Sequence, residues 1–364
     1  MKIGIITMHR VQNVGSILQA YALQHKIEQL GHKAELIDYV FPPIQKESIS
    51  FKNIVSWGID GIQGFPSRKR YYKYESFREQ LLHCSPKQYT RDSLLKDPPK
   101  YDIYCTGSDQ VWNPQHVGKD TSFMLDFINN GSSKISFASS FATNEVSEPY
   151  FSLYASNIKK YSHITVREQS GVEIVKKMTG KEATTVCDPT LLLTADEWSP
   201  IANRSNIKVP NGYILVYLLR YMFDPRPGFY NIVEFVRHAL QLPVYQYNPY
   251  TRDSFRYGIR SLRGMGPEDF INLIKNASFV VTDSFHGVAF STVFNKPVIG
   301  VIKDSTAGDG RIATLRKKVG GENSIVFYDQ QVGRDYFDTS LYKCDDLLVD
   351  KYRKASIEEL KKML

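Results

Sequence analysis

The chain has 364 residues, a length that suggests two domains. Its composition, 42% hydrophobic and 23% charged, is ordinary for a globular protein. The formal net charge of +8 favours an anionic substrate or membrane surface, but 38 acidic residues balance the 46 basic ones too closely for a nucleic-acid-binding protein. The four cysteines form no C-x-x-C pair, and no apolar run suits a signal peptide or a membrane span, so we expect a cytoplasmic protein without zinc or disulfides.

The first forty residues predict a β-α-β unit. Its expected elements are a strand at residues 2–7, a helix at 16–30 that ends at Gly31, and a strand at 34–39. The unit has neither a G-x-G-x-x-G turn nor a P-loop, so its chemistry must differ from that of nucleotide-binding folds. Ser16 is the expected N-cap of the helix, whereas Asn13 and Gly15 lie beside its free backbone amides and are candidate ligand contacts.

Residues 41–99 form the least regular part of the first half, which predicts a mobile insertion that contains a helix. Within it, the segment SRKRYYKYESFR at residues 67–78 alternates Arg and Lys with Tyr. Such a patch suits lipid headgroups or single-stranded nucleic acid, but no nucleic-acid-binding module surrounds it. We interpret it as a solvated helix face and expect no nucleic-acid partner; a peripheral contact with the inner membrane surface is the alternative.

A strand at residues 101–106 leads into the segment GSDQVWNP, which places polar groups, a glycine and an aromatic residue at the strand's carboxyl end. This combination is typical of a pocket for a carbohydrate or an anion. The candidate ligand contacts are Ser108, Asp109, Gln110, Trp112 and Asn113. The alternative is a loop with hydrogen bonds from side chains to the backbone, which accounts for Ser108 and Asp109 but not for Trp112.

Two further strands place polar residues at the same edge of the predicted sheet. Residues 134–138 lead into Ser139, a candidate ligand contact, and residues 163–166 lead into Arg167. The planar guanidinium group suits a carboxylate or a phosphate, so Arg167 is the first choice for holding an anionic ligand. The alternative is a salt bridge with Glu168 or another neighbour.

The second half of the chain predicts another α/β domain. A strand at residues 184–187 ends at Asp188, whose carboxylate we expect to be structural, and a polar linker follows at 203–211. The expected elements after the linker are strands at 213–219, 242–247, 279–282 and 298–302 and helices at 229–239, from near Pro267, and at 288–294. A short amphipathic helix at 356–364 ends the chain.

The turn DSFHG follows the strand at 279–282. Ligands of open α/β sheets bind beyond the carboxyl ends of the strands, where the amides at a helix N-terminus favour an anion. His286 is the main candidate for chemistry there, with Ser284 and Gly287 as ligand contacts. The alternatives are that Asp283 or Ser284 caps the helix and that His286 fills a crevice. A glycine-containing loop at 307–311, with a possible function as a lid, adds Arg311 as a second cation.

Six segments together resemble the polysaccharide pyruvyl transferase family, in their order and at comparable spacing. They are NVGSILQAYAL, GSDQVWN, FASSFA, VREQSG, CDPTLLL and VTDSFHGVAFSTVFNKPVIGV, of which GSDQVWN and the DSFHG turn are the most specific. The resemblance covers roughly residues 1–320 and implies two Rossmann-like domains that face a cleft, similar to GT-B glycosyltransferases. It also implies transfer of pyruvate from phosphoenolpyruvate onto a saccharide as a ketal, in cell-surface polysaccharide biosynthesis.

The resemblance assigns roles to individual residues. His286 corresponds to the family's histidine and is expected to be the general acid. Arg167 and the amides from Gly287 onward are expected to hold the anionic donor, and Asp109 to accept a hydroxyl proton from the acceptor. Asn13, Ser108 and Gln110 are then expected to face the acceptor. Residues 1–195 would form the acceptor side, 196–345 the donor side, and 346–364 a C-terminal helix.

We expect phosphoenolpyruvate as the donor, a saccharide or lipid-linked saccharide as the acceptor, and neither a cofactor nor a metal. Two other functions stay open: a nucleotide-sugar glycosyltransferase of the same shape, and a binding protein for acidic saccharides without catalysis. A glycosyltransferase would favour a Glu near the last strand-to-helix turn, and no Glu lies between Val280 and Gly321. The sequence leaves the acceptor sugar and the oligomeric state open.

Overall fold

The computed structural model describes residues 1–41, 68–129, 131–220, 223–248, 251–303, 310–330 and 337–364. The first part of the chain forms a parallel sheet of six strands: β1 (Lys2–Ile6), β2 (Lys33–Leu36), β3 (Ile103–Thr106), β4 (Ser133–Ser139), β5 (His163–Val166) and β6 (Thr184–Thr185). Their spatial order is β2-β1-β3-β4-β5-β6. The order of the strands therefore reverses between β1 and β3, where a doubly wound sheet opens a crevice for a ligand.

The second part forms another parallel sheet of six strands: β7 (Ile214–Tyr217), β8 (Val244–Tyr247), β9 (Arg260–Leu262), β10 (Phe279–Thr282), β11 (Val298–Ile302) and β12 (Ile325–Phe327). Their spatial order, β9-β8-β7-β10-β11-β12, is that of a Rossmann sheet, with its reversal between β7 and β10. Every residue of β7, β10 and β11 is buried, as expected for apolar strands covered on both faces. The expected fold of two Rossmann-like domains facing a cleft is confirmed.

Helices cover both sheets. They are α1 (Val14–Gln29), α2 (residues 68–81), α3 (Arg91–Lys96), α4 (Pro114–Val117), α5 (Tyr150–Ile158), α6 (Gln169–Thr179), α7 (Ala195–Ala202), α8 (Gly228–Leu240), α9 (Thr251–Arg256), α10 (Pro267–Asn276), α11 (Phe285–Val293), α12 (Gly310–Lys318) and α13 (Asp346–Met363). None of the described helices is both long and apolar enough to cross a bilayer. The four cysteines are free thiols, as expected.

Three helices begin two or more residues earlier than expected, each because of a cap. Helix α11 begins at Phe285 rather than at residue 288, since the side chain of Ser284 accepts a hydrogen bond from the Gly287 amide. Helix α13 begins at Asp346 rather than at residue 356, since Asp345 accepts hydrogen bonds from two backbone amides of its first turn. Helix α1 begins at Val14, as described with the site below.

The two halves share one hydrophobic core. The indole of Trp198 on α7 packs on Tyr21 of α1, at 5.5 Å between ring centroids, and on Phe290 of α11, at 5.0 Å. Helix α13 returns to the first half, where Arg353 donates from Nε to the Leu191 carbonyl at 2.7 Å and Ser356 Oγ accepts the Cys187 amide at 2.9 Å. These contacts fix the carboxyl ends of the two sheets relative to each other.

Part of the predicted insertion at 41–99 is helical, because α2 and α3 lie within it, and its residues 42–67 lie outside the described residues. The basic patch falls on α2, as expected. Its Tyr72 side chain is exposed, but Tyr74 and Phe77 are buried in the core. Helix α2 is therefore solvated on one face and packed on the other.

Candidate active site

The site forms where loops from both sheets meet. Each of these loops follows the carboxyl end of a strand, where side chains from neighbouring parallel strands lie close together. The residues that converge there are Gly15 and Ser16 after β1, Ser108 and Asp109 after β3, Arg167 after β5, Asp188 after β6, and Phe285 and His286 after β10. The first sheet thus contributes the acids and one arginine, and the second contributes the histidine.

The centre of the site is the carboxylate of Asp188. Its Oδ2 atom lies 2.7 Å from Nη1 of Arg167, 3.1 Å from Oγ of Ser108 and 3.6 Å from Nε2 of His286. Its Oδ1 atom accepts hydrogen bonds from the amide and the hydroxyl of Thr190. The side chain of Asp188 is fully buried, so this carboxylate joins Arg167 to His286 across the two halves.

Burial would raise the pKa of Asp188, but the charge of the adjacent His286 imidazole, together with the charge of Arg167, holds that pKa well below the ordinary range. Burial likewise opposes the charge on Arg167, but the carboxylates of Asp188 and Asp109 raise its pKa above the usual value. Asp188 and Arg167 therefore form an ionised pair at neutral pH.

Three buried nitrogen atoms at the site have no hydrogen-bond partner. They are Nε and Nη2 of Arg167 and Nε2 of His286. The side chain of Arg167 is 1% exposed and that of His286 is 10% exposed, so bulk water does not satisfy them. An unsatisfied buried donor costs about 1–3 kcal/mol, so the arrangement is adapted to a ligand that supplies acceptor oxygens.

The carboxylate of Asp109 forms the first-sheet wall of the site. Its Oδ2 atom accepts a hydrogen bond from Oγ of Ser16 at 2.5 Å, and its Oδ1 accepts the Gln110 amide at 2.9 Å and lies 3.9 Å from Nη2 of Arg167. The backbone of Asp109 has a φ of 78°, a left-handed conformation that aims its side chain toward α1. Burial would raise the pKa of Asp109, but the charges of Arg167 and His286 lower it overall.

Two guanidinium groups lie close to the ring of Phe285. The Cζ atom of Arg167 lies 4.5 Å from the centroid of that ring, and that of Arg311 lies 5.9 Å from it. Both distances are in the range of cation–π contacts. Arg311 is buried against this wall, so the structure brings it to the site as predicted, whereas residues 307–309 of the expected lid lie outside the described residues.

The backbone of Gly15 packs directly on the imidazole of His286. An ideal Cβ at Gly15 would lie 1.9 Å from Nδ1 and 2.3 Å from Cγ of that ring. Glycine is therefore required here for close approach rather than for a turn. The first turn of α1 fixes the position of the histidine.

We expect Gly15→Ala to displace the His286 ring and to reduce turnover strongly while the fold persists, because misplacement of a catalytic group by about 1 Å costs about 10²-fold. The measurement is the turnover rate together with the melting temperature. Gly31→Ala, at a glycine whose Cβ would meet no atom within 4 Å, is the control for general effects on α1, although its φ of 89° predicts some loss of stability. Full turnover in Gly15→Ala would contradict the positioning role.

Several predicted contacts have structural partners instead. Trp112 is fully buried, donates from Nε1 to the Phe123 carbonyl and packs against Phe141 and Tyr161, so it belongs to the core and does not line a sugar pocket. Ser139 is also fully buried, and its hydroxyl is within hydrogen-bond distance of the carbonyls of Thr106 and Gly107. The reason is that the loop after β3 folds inward against the sheet.

Asn113 and Gln110 hold the same loop together. Asn113 caps α4 through the Gln115 amide and donates to Oε1 of Gln110 at 2.7 Å. Ser108 is buried, and its hydroxyl is within hydrogen-bond distance of the Ala138 carbonyl and of Oδ2 of Asp188. Ser108 therefore reaches the site through Asp188, and Asn113 and Gln110 support the turn that carries Asp109.

The N-cap of α1 differs from the expected one, and at α11 the alternative that Ser284 caps the helix is confirmed. Asn13, not Ser16, is the N-cap of α1, because its side chain accepts the Gly15 and Ser16 amides; this frees the Ser16 hydroxyl for Asp109. Ser284 caps α11 by accepting the Gly287 amide, so that amide is already engaged and the predicted anion contact at Gly287 is not available. Asp283 instead accepts the backbone amides of Leu219 and Arg220, tying the loop after β7 to β10.

From the sequence, Asp188 is expected to be structural, and His116 and Phe285 are not candidates for the site. Burial lowers the pKa of His116. The charge of Arg311 lowers it further and that of Asp109 raises it, so both charged groups act on this imidazole. Asp188 had a usable signal, because it ends a strand at the same sheet edge as Arg167. His116 had none, since it lies on the four-residue helix α4 beyond the loop.

A second cluster of metal-ligand types lies outside the site. His9, Asp38 and Cys84 have side-chain ligand atoms within 4.8 Å of one another. The guanidinium of Arg10, however, pairs with both carboxylate oxygens of Asp38, and burial raises the pKa of the Cys84 thiol to about 12. A protonated thiol and a carboxylate already paired with arginine are poor ligands, so this donor set does not fit a metal ion.

Solved structures with a similar fold include UDP-GlcNAc 2-epimerase from Methanocaldococcus jannaschii (TM-score 0.51, 13% identity, covering 98% of this chain and 92% of that chain). MnaA of S. aureus, in a co-structure with UDP, has a TM-score of 0.51 and 13% identity, with 99% and 89% of the two chains covered. Identities this low show the fold alone, which is GT-B-like. No curated protein is significantly similar to the chain in sequence.

The family model described as polysaccharide pyruvyl transferase matches residues 13–305. This match begins at Asn13, the cap of α1, and extends past Arg167, Asp188 and His286. It therefore includes both walls of the site and most of the second sheet. The chain belongs to the polysaccharide pyruvyl transferase family.

Proposed function

We propose that this protein transfers pyruvate from phosphoenolpyruvate to two hydroxyls of a saccharide as a ketal, in the biosynthesis of a cell-surface polysaccharide. The observation that carries the proposal is the group of three buried nitrogens on Arg167 and His286 that make no hydrogen bond, beside the carboxylate of Asp109. It joins anion recognition to acid–base chemistry in one cleft. The reaction takes place in the cytoplasm on a saccharide or a lipid-linked saccharide and needs no cofactor.

The donor is an enol phosphate with a carboxylate, so its polar atoms are almost entirely hydrogen-bond acceptors. Arg167 offers Nε and Nη2 as charged donors in a planar fork, which suits one anionic group, and Arg311 supplies a second positive charge near the ring of Phe285. Two separate cations match the two anionic groups of phosphoenolpyruvate. His286 lies near the same Asp188 oxygen as Arg167, which supports its assignment as the group that protonates the enol carbon.

The proposed reaction has two steps. His286 donates a proton to the terminal methylene carbon, C2 becomes electrophilic, and a saccharide hydroxyl forms a C–O bond to C2 while losing its proton to a base. A second hydroxyl of the saccharide then forms another C–O bond to C2, the C2–O bond to phosphate breaks with its electron pair, and phosphate takes up the second hydroxyl proton. The balance is phosphoenolpyruvate plus diol giving ketal plus hydrogen phosphate.

Two groups compete for the role of base. Asp109 is close to Arg167, and its lowered pKa makes it a weak proton acceptor. Burial lowers the pKa of His116, which favours the neutral imidazole that a general base requires. We expect His116→Gln to remove the acidic limb of the pH–rate profile and Asp109→Asn to lower the rate without moving that limb. An unchanged profile in His116→Gln would return the role to Asp109.

The function is tested by incubating the protein with phosphoenolpyruvate and a panel of saccharide acceptors and measuring phosphate release together with ketal formation. Thermal stabilisation by phosphoenolpyruvate, beside UDP- and GDP-sugars, reports donor binding without an acceptor: a ligand at about 100 times its Kd adds about 2.7 kcal/mol. Stabilisation by nucleotide sugars alone would contradict the proposal and favour a glycosyltransferase.

A further inference from the structure

A basic pocket lies between α2, the connection at residues 203–208 and the start of α10. Its volume is about 970 Å³, and none of its lining residues belongs to the site described above. The charged residues of its wall are Arg68, Lys69, Lys73, Arg204, Lys208, Glu268 and Asp269. Five cations therefore face two acids, and the pocket has a formal charge of +3.

Both acids are already engaged by the protein. Asp269 pairs with Lys73 through Oδ2, which also accepts the Gly266 amide at 2.8 Å, while Oδ1 accepts the hydroxyl of Ser205 at 2.7 Å. Glu268 lies 3.8 Å from Nε of Arg204. The two acids thus neutralise Lys73 and Arg204, which lie on different segments of the wall, and hold those segments together.

The remaining three cations are Arg68, Lys69 and Lys208. Each is exposed and has no ion-pair partner among the described residues. Tyr72 lines the same pocket with 67% of its surface exposed. An exposed aromatic ring beside unpaired cations provides a flat apolar surface for a sugar ring and charged donors for an anionic group.

Helix α2 has two neighbouring faces with different contacts. Lys69, Tyr72, Lys73 and Ser76 follow helical spacing and line the pocket. The neighbouring face carries Arg70, whose Nη2 donates to the Gln12 carbonyl at 2.5 Å, immediately before the cap of α1. Helix α2 therefore lines the pocket with one face and supports the loop of the active site with the next.

We propose that this pocket binds a phosphorylated saccharide, with the phosphate held by Arg68, Lys69 and Lys208 and a sugar ring packed on Tyr72. The volume is in the range of pockets that enclose small ligands, about 300–1,000 Å³. A concave wall also suits such a ligand better than the flat surface of a membrane. The inference rests on the proposed function in one respect: it assigns this pocket to the anionic portion of the acceptor, away from the reacting hydroxyls.

The test uses α-D-glucose 1-phosphate as the probe, glucose as the uncharged analogue, and no phosphoenolpyruvate. Hydrogen exchange locates the contact, and calorimetry measures the affinity. We expect the probe to protect α2 and residues 203–208 from exchange, and the double variant Lys69→Glu/Lys208→Glu to lose that protection and to bind at least about tenfold more weakly. Lys354→Glu, at an exposed lysine of α13, is the matched control and is expected to behave as the wild type.

Three results would overturn the proposal: protection of α2 unchanged in the double variant, binding of glucose as tight as that of its phosphate, or binding only to phosphatidylglycerol vesicles. The last result would assign the basic surface to a membrane. Thermal stabilisation by phosphoenolpyruvate is measured on the same double variant and is expected to be unchanged. Loss of sugar-phosphate binding with donor stabilisation intact separates this inference from the proposed function.

Discussion

Replacement of His286 by Gln is expected to lower phosphate release from phosphoenolpyruvate plus acceptor by about 10²–10⁴-fold, because a positioned general acid contributes that much to a proton-transfer step. Glutamine retains a polar side chain of similar reach but has no proton of suitable acidity. In the proposed function the donor is bound mainly by Arg167 and Arg311, so its affinity should change little. The measurement is single-turnover phosphate release with donor binding followed separately.

His238→Gln, at an exposed histidine of α8, is the matched control and should leave the rate unchanged. A His286→Gln protein that is folded, binds phosphoenolpyruvate and turns over near the wild-type rate would show that another group delivers the proton. A variant that keeps saccharide binding but loses only turnover would also argue against a purely binding function for this family member.

Replacement of Asp188 by Asn is expected to destabilise the protein by about 3–5 kcal/mol at neutral pH. The reason is that the guanidinium of Arg167 is buried, and removing its main counter-charge leaves that charge uncompensated. The change also releases Arg167 and His286 from a common anchor, so activity should fall together with stability. Denaturant unfolding measures the first effect, and phosphate release at a temperature well below the transition measures the second.

The pH dependence of this loss has a definite sign. The pKa of Asp188 is lower in the folded protein than in the unfolded chain, because the interactions with His286 and Arg167 outweigh the effect of burial. Its carboxylate therefore contributes stability that is fully present above the unfolded pKa, about 3.9, and is lost as the pH falls below that value. The wild type should lose more stability than Asp188→Asn between about pH 5 and pH 2.

Asp97→Asn is the matched control, because the Lys87–Asp97 pair is exposed on both sides and should contribute little. An Asp188→Asn protein as stable as the wild type at neutral pH would mean that Arg167 finds another counter-charge. Asp109, at 3.9 Å from Nη2 of Arg167, is the residue to test next in that case.

The sequence by itself determined the fold class and the family. Short apolar runs alternating with helical segments indicate parallel sheets, because strands covered on both faces lack polar alternation. The turn DSFHG and the segment GSDQVWN carried the resemblance, and both follow strands as expected. Position after a strand was enough to select Asp109, Arg167 and His286, since the carboxyl ends of parallel strands share one edge of the sheet.

Only the tertiary structure decided which polar residues face the cleft and which are used within the protein. Trp112 and Ser139 look like ligand contacts in sequence but are buried in the core, because loop direction depends on packing between distant strands. Asp188 looks like a turn residue, but it joins Arg167 to His286 across more than a hundred residues of chain. The basic pocket likewise requires α2 and α10 to be adjacent, which local sequence patterns do not encode because the contact is long-range.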